Sequence, residues 1–277
     1  MDSLSEALQK ETDKNLKLAI IDELANTAFQ TDFETALDYA KQGVLLSEKN
    51  QNKEWQPKFY EMTGRIHANL LELDSATTYF NKAVNGYKAI NNKKGQATTY
   101  FKIAWVHKRR GNIEQALKLD LEALKLMEVI QDNTGIAGAY SRISEDLNKQ
   151  GRHNEALEYA LKTIEISKKN KLNTELVYAY TSAGDTHMYL GSYQKAYNYF
   201  NDALLLAYQQ NVSTYDLINF RNNKANALKR MGKHQEAKIE YETALAKAKE
   251  IEYENAKYVI TANLGEINLL LGNYNDA

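Results

Sequence analysis

The 277 residues contain no cysteine, which excludes disulfides and thiolate metal sites without fixing a compartment. Proline occurs once, at Pro57, as expected of a chain that is helical almost throughout, since proline in a helix interior costs about 3 kcal/mol. Neither sign of charge is in excess, with 35 Lys plus Arg against 36 Asp plus Glu. That balance lacks the basic surplus from which nucleic-acid binding is argued, so no nucleic acid is expected as a partner. No apolar run approaches the ~20 residues that cross a bilayer, and no direct membrane contact is expected. The opening Met1-Asp2-Ser3-Leu4-Ser5-Glu6 has neither the basic start nor the apolar middle of a signal peptide. The expected compartment is the cytoplasm if that N-terminus is genuine, and the periplasm if an upstream export signal has been removed.

What the sequence has in abundance is repetition. Gly111-Asn112-Ile113-Glu114-Gln115-Ala116 returns as Gly151 to Ala156, Gly191 to Ala196, Gly232 to Ala237 and Gly272 to Ala277, with looser copies ending at Ala36 and Ala76. The alanines step by 40 residues, broken once by a single insertion between Ala196 and Ala237. A fixed period of this size marks a solenoid, in which each unit is too small to bury its own apolar face and stacks on its neighbours. The units are expected at 14–53, 54–93, 94–133, 134–173, 174–213, 214–253 and 254–277, behind an N-terminal cap segment, 1–13. The last unit is half written, which suggests a piece of a longer chain carrying an output domain beyond residue 277.

Within the units the spacing predicts helical hairpins. Ser3-Leu4-Ser5-Glu6 has capping-box spacing for a short helix to about Lys10, and Leu16, Ala19, Ile20, Leu24 and Ala28 give the first long helix. Thr31-Asp32-Phe33-Glu34 reads as a second capping box, opening a helix with Ala36, Leu37, Ala40, Val44 and Leu45 on one side. Pro57 falls in a first turn, where its missing N–H costs nothing. Tyr60, Tyr100, Tyr140 and Tyr180 recur every 40 residues, and Gly64, Ala104, Ser144, Gly184, Ala225 and Gly265 stand four residues on, with Arg221 in the ring position of the sixth unit. A ring followed by a very small residue lets a neighbouring helix approach closely. Gly111, Gly151, Gly191, Gly232 and Gly272 are expected to end the first helices in the left-handed conformation. Second helices follow, with small residues at Ala83, Ala123, Thr163, Ala203 and Ala244. Polar loops, Asn91-Asn92-Lys93-Lys94-Gly95 and Gln131-Asp132-Asn133-Thr134-Gly135, are expected to join the units.

This order of ring, small residue, Gly-x-aromatic-x-x-Ala, aromatic and Ala resembles the tetratricopeptide repeat. Its clearest copy is Tyr180, Ala183-Gly184, Gly191, Tyr193, Ala196, Phe200 and Ala203. The resemblance covers about residues 14 to 277, and is weakest in the first unit, where Leu24 and Thr27 stand for the small and ring positions. The longer period is similar to that of kinesin light chains, Pins-type scaffolds and bacterial peptide-sensing regulators. The loop wording is similar to sensor regions of Bacteroidetes-type signalling proteins. The resemblance implies an all-α, right-handed superhelical solenoid of stacked antiparallel helix pairs, with a concave groove that binds a peptide or protein segment.

Catalytic signatures are missing: there is no Gly-x-Ser-x-Gly elbow and no Gly-rich phosphate loop. His67, His107 and His187 share one repeat position and His153 and His234 another. Equivalent residues in adjacent units stand on the order of 10 Å apart or more, too far for shared ligation. The histidines therefore read as packing residues, and neither metal nor cofactor is expected. Glu145 and Asp185 fall on equivalent faces, but adjacent units are expected to hold them too far apart for a carboxylate pair.

The remaining signal is a second face of the first helices, ~100° round from the packing face. The resemblance makes it the lining of the inner groove: Arg65 and Asn69; Phe101, Trp105, Lys108 and Arg109; Glu145 and Lys149; Asp185, Met188 and Tyr189; Asn222, Asn226, Lys229 and Arg230. Amides for a peptide backbone, rings for its side chains and arginines for carboxylates suit a bound segment. The Asn222, Asn223, Asn226 cluster stands out because asparagine is a poor helix former. The expected function is a non-catalytic binding module, the sensory or scaffolding region of a larger signalling protein. The alternatives are a stand-alone peptide-responsive regulator and, more distantly, an enzyme using the groove. Leu269, Leu270 and Leu271 are expected to lie uncovered at the end of the last helix.

Overall fold

The computed structural model describes residues 2–273, which form two compact units, Met1–Asp132 and Asn133–Ala277. Tyr274 and Ala277 of the last Gly-to-Ala copy lie outside the described residues. The first unit holds α1 (Asp2–Lys10), α2 (Lys14–Ala28), α3 (Phe33–Lys49), α4 (Trp55–Asn69), α5 (Leu73–Ala89), α6 (Lys93–Arg109) and α7 (Ile113–Val129). The second holds α8 (Asn133–Lys149), α9 (His153–Lys169), α10 (Asn173–Tyr189), α11 (Tyr193–Gln209), α12 (Thr214–Arg230), α13 (His234–Glu250) and α14 (Glu254–Leu270). Among the described residues there is no strand, and no helix is long and apolar enough to cross a membrane.

Each unit is a row of antiparallel hairpins, the all-α solenoid of stacked helix pairs expected from the repeat. The pairs α2/α3, α4/α5, α6/α7, α8/α9, α10/α11 and α12/α13 pack within themselves, and each second helix also packs on the next first helix of its own unit. First helices approach the next first helix (α2 to α4 to α6; α8 to α10 to α12 to α14), whereas within either unit no second helix reaches the next second helix among the described residues. A row closer on one side than the other is concave on the closer side, so in each unit the first helices line the hollow face. The apolar interior is accordingly divided into local clusters, such as Phe80 with Ile103 and Ala104, or Tyr241 with Ile218 and Ile260.

The small residues of the first helices receive rings from the second helices. A Cβ at Gly64 would stand 2.6 Å from Phe80 Cδ1, and one at Gly184 2.5 Å from Phe200 Cε1. Both phenylalanines are buried, each contributing roughly 1.5–3 kcal/mol of transfer free energy. The once-per-unit tyrosines are half-buried, and meet second-helix rings in Tyr60–Tyr79, Tyr140–Tyr159 and Tyr180–Tyr199. In the sixth hairpin the same pair of positions carries an ion pair, Arg221 to Glu240 at 2.6 Å.

From the end of α3 onward the turns share one geometry. Gly111 N–H donates to Lys108 O and Asn112 N–H to His107 O, the paired bonds of a Schellman end, with φ +78° at Gly111. Leu71 repeats both bonds at φ 60° without being glycine, as do Gln51, Asn91, Gln131, Lys171, Asn211 and Glu252 in the left-handed conformation after second helices.

Several local expectations are corrected. The α3 cap is Asp32 rather than Thr31, since the Asp32 carboxylate accepts from Glu34 N and Thr35 N. The buried face of α2 is Leu18, Ile21, Leu24, Ala25 and Ala28, leaving Leu16 and Ala19 exposed; Leu45 of α3 is exposed too. Thr27 is exposed and, on the 40-residue step, matches His67; the first-unit ring position falls on Ile20. The stretches ending at Gly95 and Gly135 are not loops throughout, because α6 and α8 have begun by Lys93 and Asn133. Gly95 is there for space: a Cβ would meet Tyr87 Cδ1 at 2.5 Å. Leu269 and Leu270 are exposed, whereas Leu271 packs against the cluster of α12–α14.

Candidate functional site

In the first unit the hollow face carries arginines lying on rings. The Arg65 guanidinium sits 4.6 Å from the centre of the Phe29 ring and that of Arg109 5.7 Å from Trp105, which is 38% exposed. Asn69 is exposed, but its side-chain N–H donates to Arg65 O of its own helix at 2.9 Å. Phe101 is half-buried. Lys108 departs from expectation. Its side chain is only 9% exposed and its ammonium stands 3.2 Å from the fully buried Asp120 carboxylate of α7, so it ties the hairpin together rather than lining the groove. Asp120 occupies the position where α5, α11 and α13 carry Phe80, Phe200 and Tyr241, and an acid in a ring position was the signal that a buried cation had to face it.

In the second unit the first helices enclose a cleft of about 730 Å³, bounded by α8, α10 and Asn223 of α12. Glu145 and Lys149 of α8 line it, as do Asp185 and Tyr189 of α10. A second cleft of about 440 Å³ adjoins it and shares Asp185, Tyr189 and Asn223, adding Met188, Asn226, Lys229 and Arg230. Thus the structure brings together in one unit nearly all of the second-unit candidates. Asn222 is the exception: it lines neither cleft, and its side-chain O accepts from Asn263 of α14 at 3.1 Å.

The residues that the repeat positions did not single out follow a simple stripe. Glu175, Tyr178, Ser182, Asp185 and Tyr189 of α10 recur at steps of three and four, and all line the larger cleft with Arg142 and Asn148 of α8. That stripe was legible as a helical face, but it lies partly round from the positions first chosen.

Many of these side chains are already engaged. Lys149 pairs with Glu145 at 2.6 Å, Lys229 with Glu266 at 2.7 Å, and Arg230 donates to Tyr193 OH at 3.0 Å. Asn226 O accepts from the buried Tyr241 OH at 2.6 Å, so this amide braces the sixth hairpin as well as facing the smaller cleft. Asn148 donates to Thr186 Oγ1 at 2.8 Å and meets His153 Nδ1 at 3.1 Å. Tyr189 is 62% exposed, its ring stacked on His153 at 4.8 Å. Tyr178 hydrogen-bonds to Asp216 at 3.1 Å; burial, then that carboxylate, raises its phenol above the ordinary value.

Asp185 is the most perturbed acid of the site. Burial, and secondly the charge of Glu145, push its carboxyl up to about 7, and its one hydrogen bond is a long one, 3.5 Å from Asn223 Nδ2. Glu145 and Asp185, expected to stand too far apart for a carboxylate pair, line one cleft, and the charge of the first raises the second. Three histidines are packed on rings, His67 on Tyr79, His153 on Tyr189 and His187 on Tyr199, and burial lowers the His187 and His107 values. Among the described residues no group of three or more metal-ligating side chains converges.

Comparison with known proteins bears on the fold and the repeat. The family described as tetratricopeptide repeat matches residues 136–170, 177–210 and 218–246. No curated protein matches the chain in sequence. Among solved structures, the chain is similar to the signal transduction ATPase with a tetratricopeptide repeat sensor from Pyrococcus horikoshii, at 16% identity and TM-score 0.76; the match covers 93% of this chain and 40% of that one. It is also similar to the Rap conjugation gene regulator of plasmid pLS20 in complex with the Phr* peptide, at 14% identity and TM-score 0.69, covering 96% of this chain and 78% of that one. A kinesin light chain with nearly identical repeats from Podosopora anserina aligns at 13% identity and TM-score 0.61, covering 73% of this chain and all (100%) of that one. At these identities the likeness is one of fold.

Proposed function

We propose, from the premise that this chain carries tetratricopeptide repeats, that it is a non-catalytic binding module which holds an extended peptide or protein segment along the first helices of the Asn133–Ala277 unit. The observation that carries this reading is the cleft shared by three successive first helices, α8, α10 and α12, whose walls alternate rings, amides and carboxylates. Such a lining offers hydrogen bonds to a peptide backbone at the spacing of the helices and apolar plates to its side chains. The chain would serve as the sensory or scaffolding region of a signalling protein, with neither nucleic acid nor membrane as a direct partner. The Rap regulator solved with a peptide and the ATPase whose repeats form a sensor support that reading, as relatives in fold.

The test is selection of linear peptides from a displayed library against the chain, followed by binding to Tyr189→Ala and Asn223→Ala. These side chains line both clefts and neither lies in an apolar cluster, so the fold should persist. A loss of about tenfold or more in affinity, on the order of 1.4 kcal/mol, is expected for each. Selected peptides that bind both variants as well as the parent would overturn the assignment.

A further inference from the structure

Asp185 stands where the two clefts meet, and among the described residues no cation is paired with it. The cations facing it are committed or carry no pairing with it: on α8, Lys149 is held by Glu145; on α12, Lys229 is held by Glu266 of α14 and Arg230 lies against Tyr193 of α11. Arg142 of α8 lines the same cleft but makes its own interaction, and does not lower the Asp185 value. The other titratable groups of the larger cleft are Glu145, Glu175, Tyr178 and Tyr189, with His153 of α9 behind the Tyr189 ring. A half-buried carboxylate without a cation of its own, with another acid lining the same cleft, is an incomplete ion pair. The cleft above it is large enough for a side chain, and Tyr189, one turn further along α10, lines both clefts beside it.

We propose that this junction is the receptor for one organic cation of the bound segment, a guanidinium or ammonium group, with Asp185 as its counter-charge and Tyr189 as the plate beside it. The inference rests on the peptide-binding reading and specifies it: the ligand has a basic group at one fixed position. Capture requires Asp185 to be ionised, so binding releases a proton when it occurs below the value of about 7, and affinity rises with pH through that range. The ionised fraction of a group with that midpoint grows about tenfold between about pH 6 and pH 8, which sets the size of the effect.

The experiment uses the full chain and a positional-scanning library of octapeptides in which each position in turn is fixed as Arg, Lys, Gln or Glu. The N-terminus is free in one half of the library and acetylated in the other. Expected is enrichment of about tenfold for Arg or Lys over Gln at one position near pH 8, an enrichment that shrinks about tenfold near pH 6 and disappears in Asp185→Asn. Enrichment confined to the free-amine half would identify the N-terminal ammonium as the cation. In parallel, carbon NMR of the Asp185 carboxyl should show its midpoint falling by one unit or so when argininamide is added. Peptides that bind at the clefts without basic preference, a preference retained by Asp185→Asn, or a midpoint indifferent to argininamide would each overturn the inference while leaving peptide binding intact. If no library peptide binds in a way that Tyr189→Ala and Asn223→Ala weaken, the peptide-binding reading falls with it.

Discussion

Replacing Asp185 by asparagine should stabilise the second unit above about pH 6 and have little effect near pH 4. The sign follows from the direction of the shift. The folded chain holds the Asp185 proton up to about 7, against 3.8 for the ordinary group, so the folded state binds more protons than the unfolded one between those values. Stability therefore falls as pH rises from the unfolded value, and the loss is complete above the folded one. Integrating between these two midpoints gives a loss of about 2–3 kcal/mol from pH 5 to pH 8, a large fraction of the marginal stability of a domain. Asparagine keeps the shape and the contact with Asn223 but has no charge to desolvate. Urea unfolding followed by circular dichroism across that range should show the gap between parent and variant widening by about that amount from the acid end to the alkaline end, and closing near pH 4. Hydrogen exchange in α8, α10 and α12 should locate the difference, because stability in a repeat array is local. Parallel pH curves for the two proteins would refute the reasoning, since the carboxylate would then carry no cost.

Four further single substitutions separate backbone strain, space and charge. Gly111→Ala should cost about 1 kcal/mol in urea unfolding although nothing lies within 4 Å of the added Cβ, and Leu71→Gly should be neutral or stabilising by up to about 1 kcal/mol, because φ is positive at both positions. Gly184→Ala should cost about 1–3 kcal/mol for the opposite reason, its Cβ meeting Phe200 Cε1 at 2.5 Å, with a matching fall in melting temperature. Lys108→Met should destabilise by about 3–5 kcal/mol, measured by the same unfolding, since it leaves the buried Asp120 carboxylate without that ammonium; adding Asp120→Leu should recover much of the loss.

The framework of the fold was legible because it is written in sterics. Only a residue without a side chain fits under Phe80 or Phe200, and a left-handed residue closes each turn from the end of α3 onward, so Gly64, Gly184 and Gly111 announce themselves at fixed spacing. Leu71 did not, because the same turn tolerates a side chain at a modest cost that the rest of the hairpin absorbs. The groove was harder to read because a polar residue on a helix does not declare its direction. Lys108 and Lys149 occupy neighbouring positions of successive units, yet the first turns inward to Asp120 and the second outward to Glu145. Asn222, Asn223 and Asn226 were conspicuous together, but they divide between bracing and lining: Asn222 bonds to Asn263, Asn226 to Tyr241, and Asn223 reaches Asp185. Nor does a 40-residue interval say how near two acids come, which depends on how tightly the first helices nest.

The division of the interior into local clusters has a mechanical consequence. A row of neighbour-to-neighbour interfaces has no keystone, so a load applied along it is shared as small displacements at every joint rather than resisted at one place. Each unit should therefore stretch and recoil like a spring, and a guest lodged between first helices would act as a spacer that changes its rest length.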